Sequence, residues 1–137
     1  MSDVRAAVLT ANQAFYDAFR NGDMATMRAL WAEAAPVACA HPGAPLLVGR
    51  EPVLESWNSI LSQPERPEIV CFQPQVHILG DAAYVTCYER LGPNAVLLAT
   101  NILALEGDAW RFVHHHAGPT PVAPPQEPTP PSGHVLH

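Results

Sequence analysis

Thr100-Asn101-Ile102-Leu103-Ala104-Leu105-Glu106-Gly107-Asp108-Ala109-Trp110-Arg111-Phe112-Val113-His114-His115-His116-Ala117 reads as two strands folded back on a Gly107-Asp108 turn. Aromatic and β-branched residues alternate with others on both sides of the turn, which suits a pleated surface buried on one face. Glycine supplies the positive φ that a tight hairpin turn requires. Successive side chains of a strand point to opposite faces. With a two-residue turn, Leu105 stands opposite Trp110, Leu103 opposite Phe112, Asn101 opposite His114 and Ala99 opposite His116. That face is greasy at the hairpin end and polar further along. Thr100, Ile102, Arg111, Val113 and His115 fall on the other face, which puts His115 in solvent or at an interface. An apolar wall carrying a few polar groups is the usual make-up of a ligand site.

Upstream, residues 69–79, 83–91 and 96–105 carry strand patterns separated by Gly80-Asp81 and Gly92-Pro93-Asn94. With residues 110–117 they make four consecutive strands on short loops, an antiparallel meander. Glu89 shares its strand face with Val85 and Cys87, both apolar. A carboxylate there either escapes at the strand end or is paired inside; both readings stand. Cys71, Gln75 and His77 alternate onto the outer side of their strand.

Earlier still the period changes. Val4, Val8, Ala11, Phe15 and Phe19 recur three or four apart, which predicts a helix over 3–21, with Asn12 among the polar residues off that stripe. Asp23 caps a second helix running to about residue 34, and Pro36 stops it. Two short extended pieces, 37–40 and 46–49, flank a turn at His41-Pro42-Gly43. A third helix starts near Arg50, buries Val53, Trp57, Ile60 and Leu61, and ends at Pro64. Helices first and strands after predict an α+β domain with the helices on one face of the sheet.

Residues 118–137 hold seven of the fifteen prolines. Such a segment buries too little surface to offset its ordering entropy. We therefore divide the chain into a domain over 1–118 and an extended proline-rich tail over 119–137. The chain carries thirteen Asp+Glu against seven basic residues, all Arg and none adjacent. Nucleic acid and anionic membranes would want a clustered basic footprint, so neither is an expected partner. No run approaches the roughly 18–20 apolar residues of a membrane helix, and the first residues lack a secretory pattern, so a cytoplasmic location is expected. Cys39, Cys71 and Cys87 are too widely spaced for a disulfide framework and read as buried thiols.

Several features in order, namely Ala14-Phe15 to Trp31, Cys39-Ala40-His41-Pro42-Gly43, Gly49-Arg50 with Ser56-Trp57, Thr100-Asn101, and the ending from Trp110 to Ala117, resemble the SnoaL-like branch of the NTF2-like superfamily. The resemblance covers about residues 3–118. It implies a cone-shaped, half-open barrel with an internal pocket, and a homodimer made through the sheets. The superfamily includes isomerases, dehydratases, cyclases, epoxide hydrolases and members without a known reaction, so the fold alone fixes no chemistry. Enzymes of the isomerase and cyclase type use an interior Asp as base. Here Asp3, Asp17, Asp23, Asp81 and Asp108 all fall on helix surfaces, caps or turns.

Three readings follow. The missing interior aspartate favours a domain that binds a small, largely apolar molecule without an assigned reaction and needs no cofactor. The alternative is general acid–base catalysis, with His114 and His116 exchanging protons near neutrality and Glu89 orienting one of them. In either case Trp31, His41, Trp57, Asn101 and Phe112 are the expected ligand-binding residues. Trp31 and Trp57 also sit on helical apolar faces, as core residues do. A metal held by His114, His116 and His41 is the third reading, and no acidic residue is placed beside them.

Overall fold

The computed structural model describes residues 2–121. The tail expected over 119–137 therefore lies outside the described residues from 122 onward. The elements run α1 (Ser2–Asn21), α2 (Met24–Leu30), β1 (Ala38–Ala40), β2 (Leu47–Val48), α3 (Arg50–Leu61), β3 (Ile69–Leu79), β4 (Ala82–Leu91), β5 (Ala95–Glu106) and β6 (Ala109–Pro119). The six strands form one sheet in the order β2-β1-β6-β5-β4-β3. The last four strands are the expected antiparallel meander. β1 extends it by pairing parallel to β6, and the sheet remains open as a cone packed on three helices.

α1 buries Val8, Phe15, Tyr16 and Phe19 against the sheet. Its end is fixed by Gly22 at φ +66°, where a Cβ would press on the Arg66 guanidinium at 3.0 Å. That guanidinium donates to the carbonyls of Phe19 and Arg20 at the end of α1 and of Leu61 at the end of α3. One side chain thus satisfies the orphan acceptors of two helices and ties their C-terminal ends together.

α2 stops at Leu30, four residues before the expected 34. At Trp31 the backbone turns extended and bridges to Phe112 of β6, with the Ala32 N–H donating to the Phe112 carbonyl at 2.9 Å. The Glu106 carboxylate then accepts from the backbone N–H groups of Glu33, Ala34 and Ala35, at 2.9–3.1 Å. Arg50 donates to the carbonyls of Trp31 and Ala32. Tertiary partners therefore take over the groups a longer helix would have bonded, overriding helical propensity.

Two bulges decide which side chains reach the interior. In β3 the register with β4 shifts between Phe72 and Gln75, around Gln73 at φ +54°. Cys71 thus lies on the inner side, against Asn12 of α1, while Gln75 and His77 face outward. Our expectation placed all three outside.

In β6 the register with β5 shifts between Ile102 and Leu103. Leu105 still pairs with Trp110 and Leu103 with Phe112, as the hairpin turn requires. Beyond the shift His114 pairs with Ile102, His115 with Asn101 and His116 with Thr100. Val113 is the extra residue, and an extra residue inverts the alternation of everything after it. The bulge falls where the other neighbour of β6 changes, from Trp31 beside Phe112 to Ala38 beside His114.

The outer face carries two stacked ring pairs, Phe72 on Tyr88 and His77 on Tyr84, and the exposed Leu98. Among the described residues no helix is long and apolar enough to cross a membrane.

Candidate functional site

A cavity of about 210 Å³ lies between α1, α3 and the sheet. Phe15 and Phe19 come from α1, Trp57 and Ile60 from α3, and Pro42 and Pro67 from connecting segments. Ile69, Leu91 and Leu97, at the ends of β3, β4 and β5, close it from the sheet. Three polar side chains interrupt this apolar surface: His41, Glu89 and His115.

Glu89 and His115 are joined behind the wall by a chain of buried hydrogen bonds. Asn101 Nδ2 donates to Asn12 Oδ1 at 2.8 Å and to Tyr16 Oη at 3.1 Å. Asn101 Oδ1 is thereby the acceptor for His115 Nδ1, 2.5 Å away. His115 must carry its proton on Nδ1, which leaves Nε2 as a lone pair. Tyr16 in turn donates its hydroxyl proton to Glu89 Oε2 at 2.5 Å. Every bond from His115 through Asn101 and Tyr16 to Glu89 runs in one direction, so each polarises the next. Asn12 Nδ2 closes the network on the Cys71 sulfur at 3.7 Å, and the Tyr16 hydroxyl also lies 3.4 Å from the Cys87 sulfur.

Burial sets the protonation states. Desolvation pushes the Glu89 carboxyl up to about 7, and the Tyr16 hydroxyl offsets only part of that. Desolvation likewise brings the His115 imidazole down to about 3, with the neighbouring His41, His114 and His116 adding to the shift. Below neutrality the cavity therefore holds a neutral imidazole and a carboxylic acid; above it, a carboxylate. Tyr16 is held well above the usual phenol range by burial and then by Glu89, so it remains a donor. His41 is lowered by burial; its Nε2 lies 2.6 Å from Ser56 Oγ, and its ring stands edge-on to Trp57 at 4.7 Å. Cys39 is pushed up to about 12 by burial, which keeps it a thiol.

Of the residues singled out from sequence, Glu89, His41 and Trp57 line this cavity. Asn101 is buried one layer behind, as the hinge of the network. His114 and His116 do not reach it. The bulge at Val113 turns both to the outer face, where His116 is exposed, and delivers His115 in their place. Our outward assignment of His115 is thus corrected: it is almost fully buried. Trp31 and Phe112 are core, their rings 5.7 Å apart and Phe112 stacked on Phe15 at 4.6 Å. The cavity also lies at the opposite end of the β5–β6 hairpin from Trp110, not around it. His41 does not converge with His114 and His116, and among the described residues no cluster of three or more His, Cys, Asp or Glu could hold a metal ion.

Tyr16 and Asn12 were missed. Their signal was present: Val8, Asn12, Phe15, Tyr16 and Phe19 share one helical stripe, so a polar side chain at 12 is carried inward.

Helices wrapped by a curved open sheet, with a cavity between them, define a cone-shaped α+β domain. The chain belongs to the SnoaL-like domain family of the NTF2-like superfamily, with residues 8–122 matching the family. It is similar to a proposed dehydratase from the NTF2-like family of Streptomyces avermitilis: 35% identity, 89% of this chain and 100% of that one, TM-score 0.80. It is also similar to a proposed calcium/calmodulin-dependent protein kinase type II association domain from Thiobacillus denitrificans: 34% identity, 80% of this chain and 92% of that one, TM-score 0.72. A curated relative, the F-box protein SKIP8 of Arabidopsis thaliana, is 27% identical over 112 residues. That match takes in 81% of this chain but only 48% of the relative, so the chain spans about half the relative's length.

Proposed function

We propose that this SnoaL-like domain binds a small, largely apolar molecule in the cavity between α1, α3 and the sheet. One observation carries the reading: a carboxyl group, 1% exposed, is built into an otherwise apolar wall and wired to a buried imidazole. Burying such a group costs stability that an apolar residue of similar size would not cost. Departures of that kind, with shifted pKa values in a cleft, mark functional sites. Ethylbenzene is expected to shift the indole N–H resonance of Trp57 in a saturable way, and Ile60→Trp, which fills the cavity, is expected to abolish the shift. If ethylbenzene leaves that resonance unmoved up to its solubility limit, the cavity is not a binding site.

The Glu89 carboxyl, brought up to about 7 by burial and lining the cavity, favours a second reading in which the bound molecule exchanges a proton with it. His115 would then hold the far end of the relay in place of the expected His114 and His116. Turnover of a found substrate that survives Glu89→Gln unchanged would remove this reading.

We also propose that two copies pair through the outer face of the sheet, where stacked aromatic pairs and the exposed Leu98 form a mixed apolar surface. Sedimentation is expected to return twice the chain mass, and Leu98→Arg the mass of one chain. A natural protein that sediments as a single chain would dismiss the pairing.

A further inference from the structure

The hydrogen-bond directions inside the wall restrict what the cavity can hold. His115 commits its one N–H to Asn101 Oδ1, because both protons of Asn101 Nδ2 are committed to Asn12 and Tyr16. Among the described residues nothing bonds Nε2, so the atom left for the cavity is a lone pair. Glu89 receives the Tyr16 proton on Oε2, which leaves Oε1 for the cavity. Both atoms accept when Glu89 is ionised. Two other lining residues carry an N–H: the Trp57 Nε1 is buried without a partner and sealed from the cavity surface, and the His41 imidazole is engaged through Nε2 with Ser56 Oγ at 2.6 Å. None of the residues lining the cavity is Arg, so nothing there offsets an anion's charge, and Glu89 repels it.

We infer that the cavity selects a small apolar molecule carrying an O–H or N–H donor, such as an alcohol or an amine, and rejects carboxylates and carbonyl compounds of the same size. This rests on the reading of the cavity as a ligand site and names the class of ligand for it. A volume of about 210 Å³ falls below the ~300–1,000 Å³ of ordinary ligand pockets, so a one-ring molecule suits it better than a fused-ring one. The rings of Phe15, Phe19 and Trp57 bury the apolar part. The donor end then meets Oε1 of Glu89 or Nε2 of His115.

Matched one-ring probes separate polarity from shape: ethylbenzene, benzyl alcohol, benzylamine, acetophenone and benzoate, titrated against the full chain near pH 8 and followed at the Trp57 indole N–H. Benzyl alcohol and benzylamine are expected to bind about tenfold or more tightly than ethylbenzene, the scale of a hydrogen bond to a charged acceptor. Acetophenone is expected to gain nothing over ethylbenzene, and benzoate not to bind. Near pH 6 Glu89 becomes a donor and the margin of the alcohol over the ketone narrows. The other ionisable groups facing Glu89 are Tyr16, Cys39, Cys71, Cys87, His41 and His115; burial keeps the Tyr16 and Cys39 protons in place, the hydrogen bond with Cys87 and burial keep that of Cys71, His115 stays neutral across this range, and burial lowers His41. Glu89→Gln, which keeps the shape, is expected to erase the pH dependence and the preference for benzylamine. Ethylbenzene binding with acetophenone or benzoate tighter than benzyl alcohol would overturn the donor selectivity while leaving the cavity a ligand site. Binding by no probe, ethylbenzene included, would overturn the ligand site itself.

Discussion

Glu89→Gln is expected to stabilise the protein by about 3 kcal/mol near pH 8 while removing the group on which the proposed function depends. The natural carboxyl ionises at about 7 in the folded chain against an ordinary 4.5, because burial disfavours its charge. A raised acid is a group the folded state holds protonated while the unfolded chain has already released its proton. Folding stability therefore falls as pH rises through the window from 4.5 to about 7, and levels off above it. Glutamine occupies the same volume, accepts the Tyr16 hydroxyl through its amide oxygen and never ionises. The variant should match the natural protein to within about 1 kcal/mol near pH 5 and exceed it progressively toward pH 8. Urea unfolding at a series of pH values measures both curves. An identical pH slope in the two proteins would mean that Glu89 does not titrate from a buried, desolvated position. A gain in stability paired with a loss of the preference for the amine is the trade expected where a site strains its own fold.

The sequence made most of the architecture legible and about half of the site. The four long strands follow from alternation and turn chemistry, and the observed β3 has the bounds its pattern predicts. α1 was readable because its apolar residues recur three or four apart over five turns. α2 was not, because its end is set by Phe112, Glu106 and Arg50, all distant in sequence. The site suffered from a single residue. Parity counted from Gly107-Asp108 is right as far as Phe112 and wrong beyond it, since Val113 has no partner on β5. Nothing local marks that bulge: no glycine stands there, and its position follows the change of neighbour on the far edge of β6. Three consecutive histidines made the error costly, because either parity puts an imidazole inside. Glu89 was the opposite case. Its strand β4 keeps one register throughout, so parity put it correctly on the face of Val85 and Cys87, and of the two readings left open there, escape at the strand end or pairing inside, the second is observed.

His115 by itself is expected to withdraw about 3 kcal/mol of stability between neutral pH and pH 4, a loss that Glu89 offsets in the natural protein. Its imidazole is brought down to about 3 from an ordinary 6.5 by burial and by the histidines beside it. A depressed base is neutral when folded while the unfolded chain takes up a proton, so stability is full above 6.5 and is lost as pH falls toward 3. Glu89 acts with the opposite sign over an overlapping window, gaining stability as pH falls from about 7 to 4.5. The two slopes nearly cancel in the shared range, which gives the natural protein a flat profile there and a steep loss below it. His115→Gln separates them. Glutamine donates to Asn101 Oδ1 as the imidazole does but forgoes the ring contacts with Phe15 at 4.9 Å and Trp57 at 6.0 Å, so the variant should be less stable near neutral pH by ~1–2 kcal/mol. As pH falls it should keep the Glu89 gain without the His115 loss, and the curves of variant and natural protein should cross between about pH 6 and pH 4.5. His41 and His114, also lowered by burial, lose stability with acid in both proteins alike and leave the difference to His115. Parallel curves without a crossing would place the acid-sensitive charge elsewhere. In that case the Asn101 bond that fixes the proton on Nδ1 would no longer describe the state of the ring. A crossing joined to the slope lost in Glu89→Gln would identify two ends of one network, each held neutral over the range in which the other ionises.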